Sequence, residues 1–222
     1  MDSSEKIVRC LDRQLNQYKQ PVTELSKTDE NDFIISNAIM FDWDEISKLY
    51  DGDDSSSVDA IYCFIEDNTL TLYFFEFKNF NLHDPFFDAK KQLEYLINDL
   101  DACVFNCCYP EEMRKLKKKL ISKKVISLKT KPMESLILLH NVLNEAGISS
   151  EEIISVKKEY YVVSTTPSSG NKANWHRRGR NREIFGFIDK IKPFPFINVD
   201  HLNKETFSSL IDELQTKNQI NT

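Results

Sequence analysis

Glycine and proline are scarce, with five and seven residues in a chain of 222. That scarcity excludes a loop-dominated or disordered chain. No apolar run approaches the roughly 18 residues that a membrane span needs, and no secretory leader is read. The five cysteines, Cys10, Cys63, Cys103, Cys107 and Cys108, are odd in number and lack paired CxxC spacing. They read as reduced thiols of an intracellular protein, and the Cys103–Cys108 cluster lacks the further ligands a zinc site requires. Basic excess is missing too. The net charge is -6 and the pI about 5.3, which argues against a protein that coats nucleic acid non-specifically but leaves local basic patches open. A soluble, cytoplasmic protein is the expectation.

What the chain does have is core material. Hydrophobic residues make up 41%, with 15 Phe and 8 Tyr, enough for one sizeable domain. Ser4–Lys19 reads as a helix, with Ile7, Val8, Leu11, Leu15 and Tyr18 at helical spacing and Pro21 closing it. Phe33–Phe41 reads as a strand or the start of a helix, and Asp44–Tyr50 as a helix. Asp51–Ser57 is an acidic turn without the spacing of an EF-hand. Further on, Phe86–Leu100 and Glu111–Ile121 read as helices and Lys124–Lys129 as a strand. Pro132 is expected to open a helix through Glu145 that Gly147 closes. Ser149–Ile154 is a short helical turn, Glu159–Thr166 a strand, Ile184–Val199 a strand or extended passage, and Thr206–Leu214 a closing helix.

The most informative stretch is Val58–Asn79. Two β-runs, Val58–Ile65 and Leu70–Asn79, flank Glu66-Asp67-Asn68-Thr69, which is a hairpin signature. With Asp67 and Asn68 as the turn, Glu66 faces Thr69, Ile65 faces Leu70, and the count runs outward until Asp59 faces Glu76. Lys78 shares the face of Glu76 by the period-2 rule. Both hairpin faces are apolar, so helices should cover each one. The expected class is α/β: a mixed central sheet with an acidic hairpin, flanked by helices on both faces.

Two carboxylates opposite each other suit a hard divalent cation, Mg²⁺ or Mn²⁺, with the Phe77 carbonyl and waters completing the shell. Such an ion activates water and polarises a phosphodiester, and Lys78 could stabilise the phosphate. Asp59 followed by Glu76-Phe77-Lys78 on adjacent strands resembles the D…(D/E)xK signature of the PD-(D/E)XK nuclease superfamily, whose fold is restriction-endonuclease-like. Gln92-Leu93-Glu94-Tyr95 is similar to the Gln-and-Tyr helix motif of the RecB-type branch, with one residue fewer between Gln and Tyr. No Pro precedes Asp59. The acid that the family carries on its first helix has three candidates here, Glu5, Glu24 and Glu45, with Glu45 preferred.

The resemblance covers residues 1–130, a nuclease-like core, with 131–222 as a C-terminal extension of the same domain. It implies a metal-dependent nuclease with Asp59, Glu76, Lys78 and Gln92 at the catalytic site and Asp59, Glu76 and Phe77 on the metal. It further implies nucleic acid as partner, DNA ahead of RNA, and suggests a homodimer. The alternative is an inactive module of the same fold that binds nucleic acid or a protein. The basic run Arg114–Lys131 reads as a solvated face or a phosphate track. The segment around Lys172, Trp175, His176, Arg177, Arg178 and Arg180 interleaves an aromatic with cations, which suits base stacking and phosphate contact.

Overall fold

A computed structural model of the chain describes residues 2–27, 32–51, 56–79, 109–165 and 191–220, with backbone alone at 51, 109–126 and 219–220. In chain order the elements are α1 (Ser3–Leu15), a 3-10 turn (Asn16–Tyr18), β1 (Lys19–Pro21), α2 (Val22–Leu25), β2 (Ile39–Asp42), α3 (Trp43–Asp51), β3 (Ala60–Glu66) and β4 (Thr69–Lys78). They continue with α4 (Tyr109–Glu145), α5 (Ser150–Ser155), β5 (Lys157–Ser164), β6 (Asn198–Leu202) and α6 (Lys204–Ile220). Among the described residues the strands form one six-stranded sheet in the order β1-β2-β3-β4-β5-β6. β1 to β4 pair antiparallel, while β4, β5 and β6 run parallel. The class is therefore α/β with a mixed sheet and flanking helices. No helix among the described residues is long and apolar enough to cross a membrane.

The hairpin follows the counted register as far as Ala60, while the expected Asp59–Glu76 pair lies outside the ladder because the Asp59 N–H bonds to the Phe75 carbonyl. Glu66 faces Thr69, Ile65 faces Leu70, and the ladder runs to Ala60 opposite Phe75. Asp67 and Asn68 both have positive φ, 49° and 59°, as a type I′ two-residue turn requires. Asp and Asn tolerate that left-handed region better than most residues because a short polar side chain bonds locally. β1 lies at the sheet edge, where Pro21 costs no ladder hydrogen bond.

Each face of the hairpin has its own cover. Ile61, Leu72, Phe74 and Val162 pack with Ile7, Leu11 and Leu15 of α1, at helical spacing, and with Leu139, Val142 and Leu143 of α4. On the other face Phe64, Phe75, Phe77 and Val163 pack with Phe207, Ile211 and Leu214 of α6. The Phe207 ring stands edge-on to Phe75 and Phe77, at centroid distances of 5.2 and 5.6 Å. Burying a side chain of this size contributes roughly 1.5–3 kcal/mol, so the two clusters hold β4 from both sides.

Several elements differ from the sequence reading. The first helix stops at Leu15, and Lys19–Pro21 is a strand. The Phe33–Phe41 ambiguity resolves as a strand over Ile39–Asp42. Residues 191–197 form no strand, and the parallel edge strand is Asn198–Leu202. Lys124–Lys129 is helical rather than a strand, and Pro132 opens no helix but lies inside α4. The parallel neighbour of β4 is instead Lys157–Ser164.

Proline in a helix interior removes the hydrogen bond to the carbonyl four residues back, here that of Leu128. The structure supplies a substitute: Tyr160 of β5 donates its hydroxyl to the Leu128 carbonyl at 3.0 Å. One turn beyond Pro132, Ser135 Oγ accepts the Val58 backbone N–H at 2.8 Å. The sheet thus replaces the bond that proline removes, and local propensity is overridden from a distance.

Tyr160→Phe should cost about 1–3 kcal/mol in urea unfolding, because it leaves a buried carbonyl without a donor. Much of that loss should disappear in the Tyr160→Phe, Pro132→Ala double variant, where the new amide serves Leu128. Equal losses in both backgrounds would refute the substitution of one donor for the other.

Candidate functional site

Asp59 sits in the bend just before β3, and its backbone is fixed on both sides. Its N–H donates to the Phe75 carbonyl at 3.0 Å, and its carbonyl accepts the Trp43 N–H at 3.1 Å. Its side chain turns across the open end of the hairpin, where Oδ2 accepts the Phe77 N–H at 2.5 Å. The Phe77 amide thus orients the Asp59 side chain. Glu76 follows Leu72 and Phe74 on the face covered by α1 and α4, and its side chain is 0% exposed.

A buried carboxylate without a counter-charge costs several kcal/mol. Two ammonium groups meet that cost. Glu76 Oε1 pairs with Lys78 and, at 2.9 Å, with Lys131 of α4. Lys131 also lies 3.7 Å from Asp59 Oδ1, so one ammonium stands between the two acids. The lysine side chains are 24% and 18% exposed. Glu76 Oε2, also buried, accepts no hydrogen bond among the described residues.

These contacts set the protonation of the site. Burial and the repulsion of Glu76 push the Asp59 carboxyl up to about 7, against the pull of Lys78, Lys131 and the Phe77 amide. Burial works against the charge of Lys78, but Glu76 and Asp59 outweigh it and leave the ammonium harder to deprotonate than an ordinary lysine. Lys78 is thus a fixed positive charge and no base.

Beside Asp59 opens a cavity of about 290 Å³, whose lining includes Glu24, Asp42, Asp44, Glu45 and Asp59 together with Lys27. Burial is the main cause that raises the Asp42 carboxyl. A recess in which carboxylates outnumber ammoniums in this way favours cations. Of the three candidates for a further acid, Glu24 and Glu45 reach this cavity, while Glu5 lies on α1 with Arg9 at 3.7 Å. Among the described residues, however, no group of three or more His, Cys, Asp or Glu side chains is arranged to hold a metal.

The structure brings together Asp59, Glu76, Phe77 and Lys78. Gln92 and the basic segment with Lys172, Trp175, Arg177, Arg178 and Arg180 lie outside the described residues, as do His83 and Cys103–Cys108. Along the Arg114–Lys131 run the backbone is helical. Lys131 at its end turns to the carboxylates, a role the sequence reading missed because it placed this residue between a strand and a helix start. His201, read as a structural or surface residue, is buried and lies 2.7 Å through Nε2 from Ser164 Oγ. Comparison with protein-family models, curated proteins and solved structures gives no match.

A hard divalent cation fits this donor set on two observations. The donors are all oxygen, as Mg²⁺ and Mn²⁺ prefer, and Glu76 Oε2 is buried without a hydrogen-bond donor among the described residues.

Glu76→Ala should lower stability by about 3 kcal/mol in urea unfolding, since it strands two partly buried ammoniums. Asp59 should behave in the opposite way. Its folded-state pKa near 7 exceeds the ordinary carboxylate value of about 4. The stability linked to its proton is present below about pH 4 and is lost as pH rises to about 7. Asp59→Asn should therefore gain on the wild-type chain over that window, by up to roughly 4 kcal/mol, and hold a level difference above it. A difference that stays flat from pH 4 to 8 would refute the raised pKa.

Proposed function

We propose that this chain is a metal-dependent nuclease that hydrolyses phosphodiester bonds of nucleic acid, DNA ahead of RNA. The observation that carries the reading is Glu76: a fully buried carboxylate with one oxygen lacking a hydrogen-bond donor among the described residues, sharing Lys131 with Asp59 and two residues before Lys78. An apolar sheet face gives no structural reason to keep such a group. The resemblance to the PD-(D/E)XK superfamily supports the same assignment, since that family reads Asp, Glu and Lys in this order on a hairpin.

Asp59 and Glu76 would hold Mg²⁺ or Mn²⁺. When bound, the ion supplies Lewis-acid polarisation of the phosphodiester and a water of lowered pKa. The chain's own groups do the rest. The Phe77 amide fixes the rotamer of Asp59. Lys78, kept as an ammonium by its acidic neighbours, offers positive charge to the phosphate as negative charge builds on its oxygens. The acidic recess beside Asp59 gathers cations and repels phosphate, so the substrate backbone must be drawn in by the basic segments.

One observation favours the second reading, a non-cleaving module that binds nucleic acid or a protein. Lys131 and Lys78 already give both acids a counter-charge, so the cluster does not depend on a divalent ion for charge balance.

The purified protein, incubated with DNA or RNA and Mg²⁺ or Mn²⁺, should cleave, and chelation should stop it. Asp59→Asn, Glu76→Gln and Lys78→Met should each lower the rate by about a hundredfold or more. Full activity in Asp59→Asn would end the nuclease reading. Binding without cleavage under every metal tried would select the module.

A further inference from the structure

We infer that Lys131 is an internal counter-cation that occupies the space between Asp59 and Glu76 and must be displaced for a divalent ion to enter. The inference rests on the metal reading above and adds a residue outside the D…ExK motif. Its ammonium lies 2.9 Å from Glu76 Oε1 and 3.7 Å from Asp59 Oδ1. Any cation shared by the two carboxylates takes that same space. Glu76 Oε2, buried and without a donor among the described residues, shows that the lysine uses only part of what the acids offer.

The placement of Lys131 is built in. Leu128, three residues before it, is tied to β5 through the Tyr160 hydroxyl, and Ser135, four residues after it, is tied to the start of β3 through the Val58 amide. The helix is pinned on both sides of Lys131, so exchange with a metal requires movement of the side chain alone. The side chain is 18% exposed, which leaves its head a path to water, and a lysine stem has the rotatable bonds to take it. Charge gives the reason for displacement. The site holds two carboxylates and two ammoniums, and a divalent ion added beside both lysines would leave an excess of two positive charges at close range. Release of Lys131 halves that excess.

Lys131 therefore sets the metal affinity of the site. It stabilises the metal-free chain and holds the acids together, and it weakens divalent binding by competition. Lys78 cannot share this role, because it flanks Glu76 within the same strand and is the group the proposed chemistry keeps.

The test uses the full chain and Mn²⁺ alone, without nucleic acid, with affinity measured by calorimetry. Lys131→Met should bind Mn²⁺ at least about tenfold more tightly than the wild-type chain, and Lys131→Arg should bind no more tightly than wild type. Equal affinity in wild type and Lys131→Met, or weaker binding in Lys131→Met, would overturn the inference while leaving the metal site standing. Absence of Mn²⁺ binding in all three proteins would overturn the metal reading and this inference with it. A second measurement needs no variant: reductive methylation of the wild-type lysines, mapped by mass spectrometry. Saturating Mn²⁺ should raise modification of Lys131 several-fold, and unchanged modification at saturation would overturn the displacement.

Discussion

A carboxylate with no access to water, on a strand that is apolar on both faces, is the constraint around which this molecule is arranged. Glu76 lies on β4, and its neighbours on the same face are Phe74 and Leu72. The hydrophobic effect that assembles the sheet opposes the burial of that charge. The opposition is resolved by bringing two ammoniums to a single oxygen, one from the same strand and one from a distant helix. The contact of Lys131 with the sheet follows from this arrangement, and Glu76 adds to the burial that raises the proton affinity of Asp59.

The two acids respond to their shared setting in different ways. Glu76 has the ammoniums and anchors them. Asp59 has a backbone amide and part of one ammonium, and it carries the electrostatic strain of the pair. A buried pair of acids in which one carboxyl has a raised proton affinity is common at sites where protons or cations exchange. It has a cost in stability, which the two apolar clusters on either side of β4 are large enough to offset.

How far the sequence could be read depended on the range of the interactions involved. The hairpin was legible because period-2 alternation and the Asp67-Asn68 turn are local. The two apolar faces announced their helical cover for the same reason. The α4 helix was misread because Val125 and Ile126 favour a strand and Pro132 favours a helix start, while the group that reverses both signals, the Tyr160 hydroxyl, comes from another element. Lys131 was hidden among other lysines, and nothing near it in the chain points to Glu76. Glu24 and Glu45 could not be separated from Glu5 because their approach to Asp59 depends on how the residues before β3 pack.

The missing amide of Pro132 also gives α4 an index. The buried face carrying Leu139, Val142 and Leu143 already turns α4 toward the sheet, and two hydrogen bonds add a fixed position along its axis. Here the Leu128 carbonyl requires the Tyr160 hydroxyl, and Ser135 requires the Val58 amide, so the helix has one phase. A residue gained or lost between these two points would turn everything beyond it by about 100°. The chain before Leu128 is under no such restriction from these bonds. Variation in length should therefore concentrate ahead of Leu128, and the eight residues from Leu128 to Ser135 should keep their number.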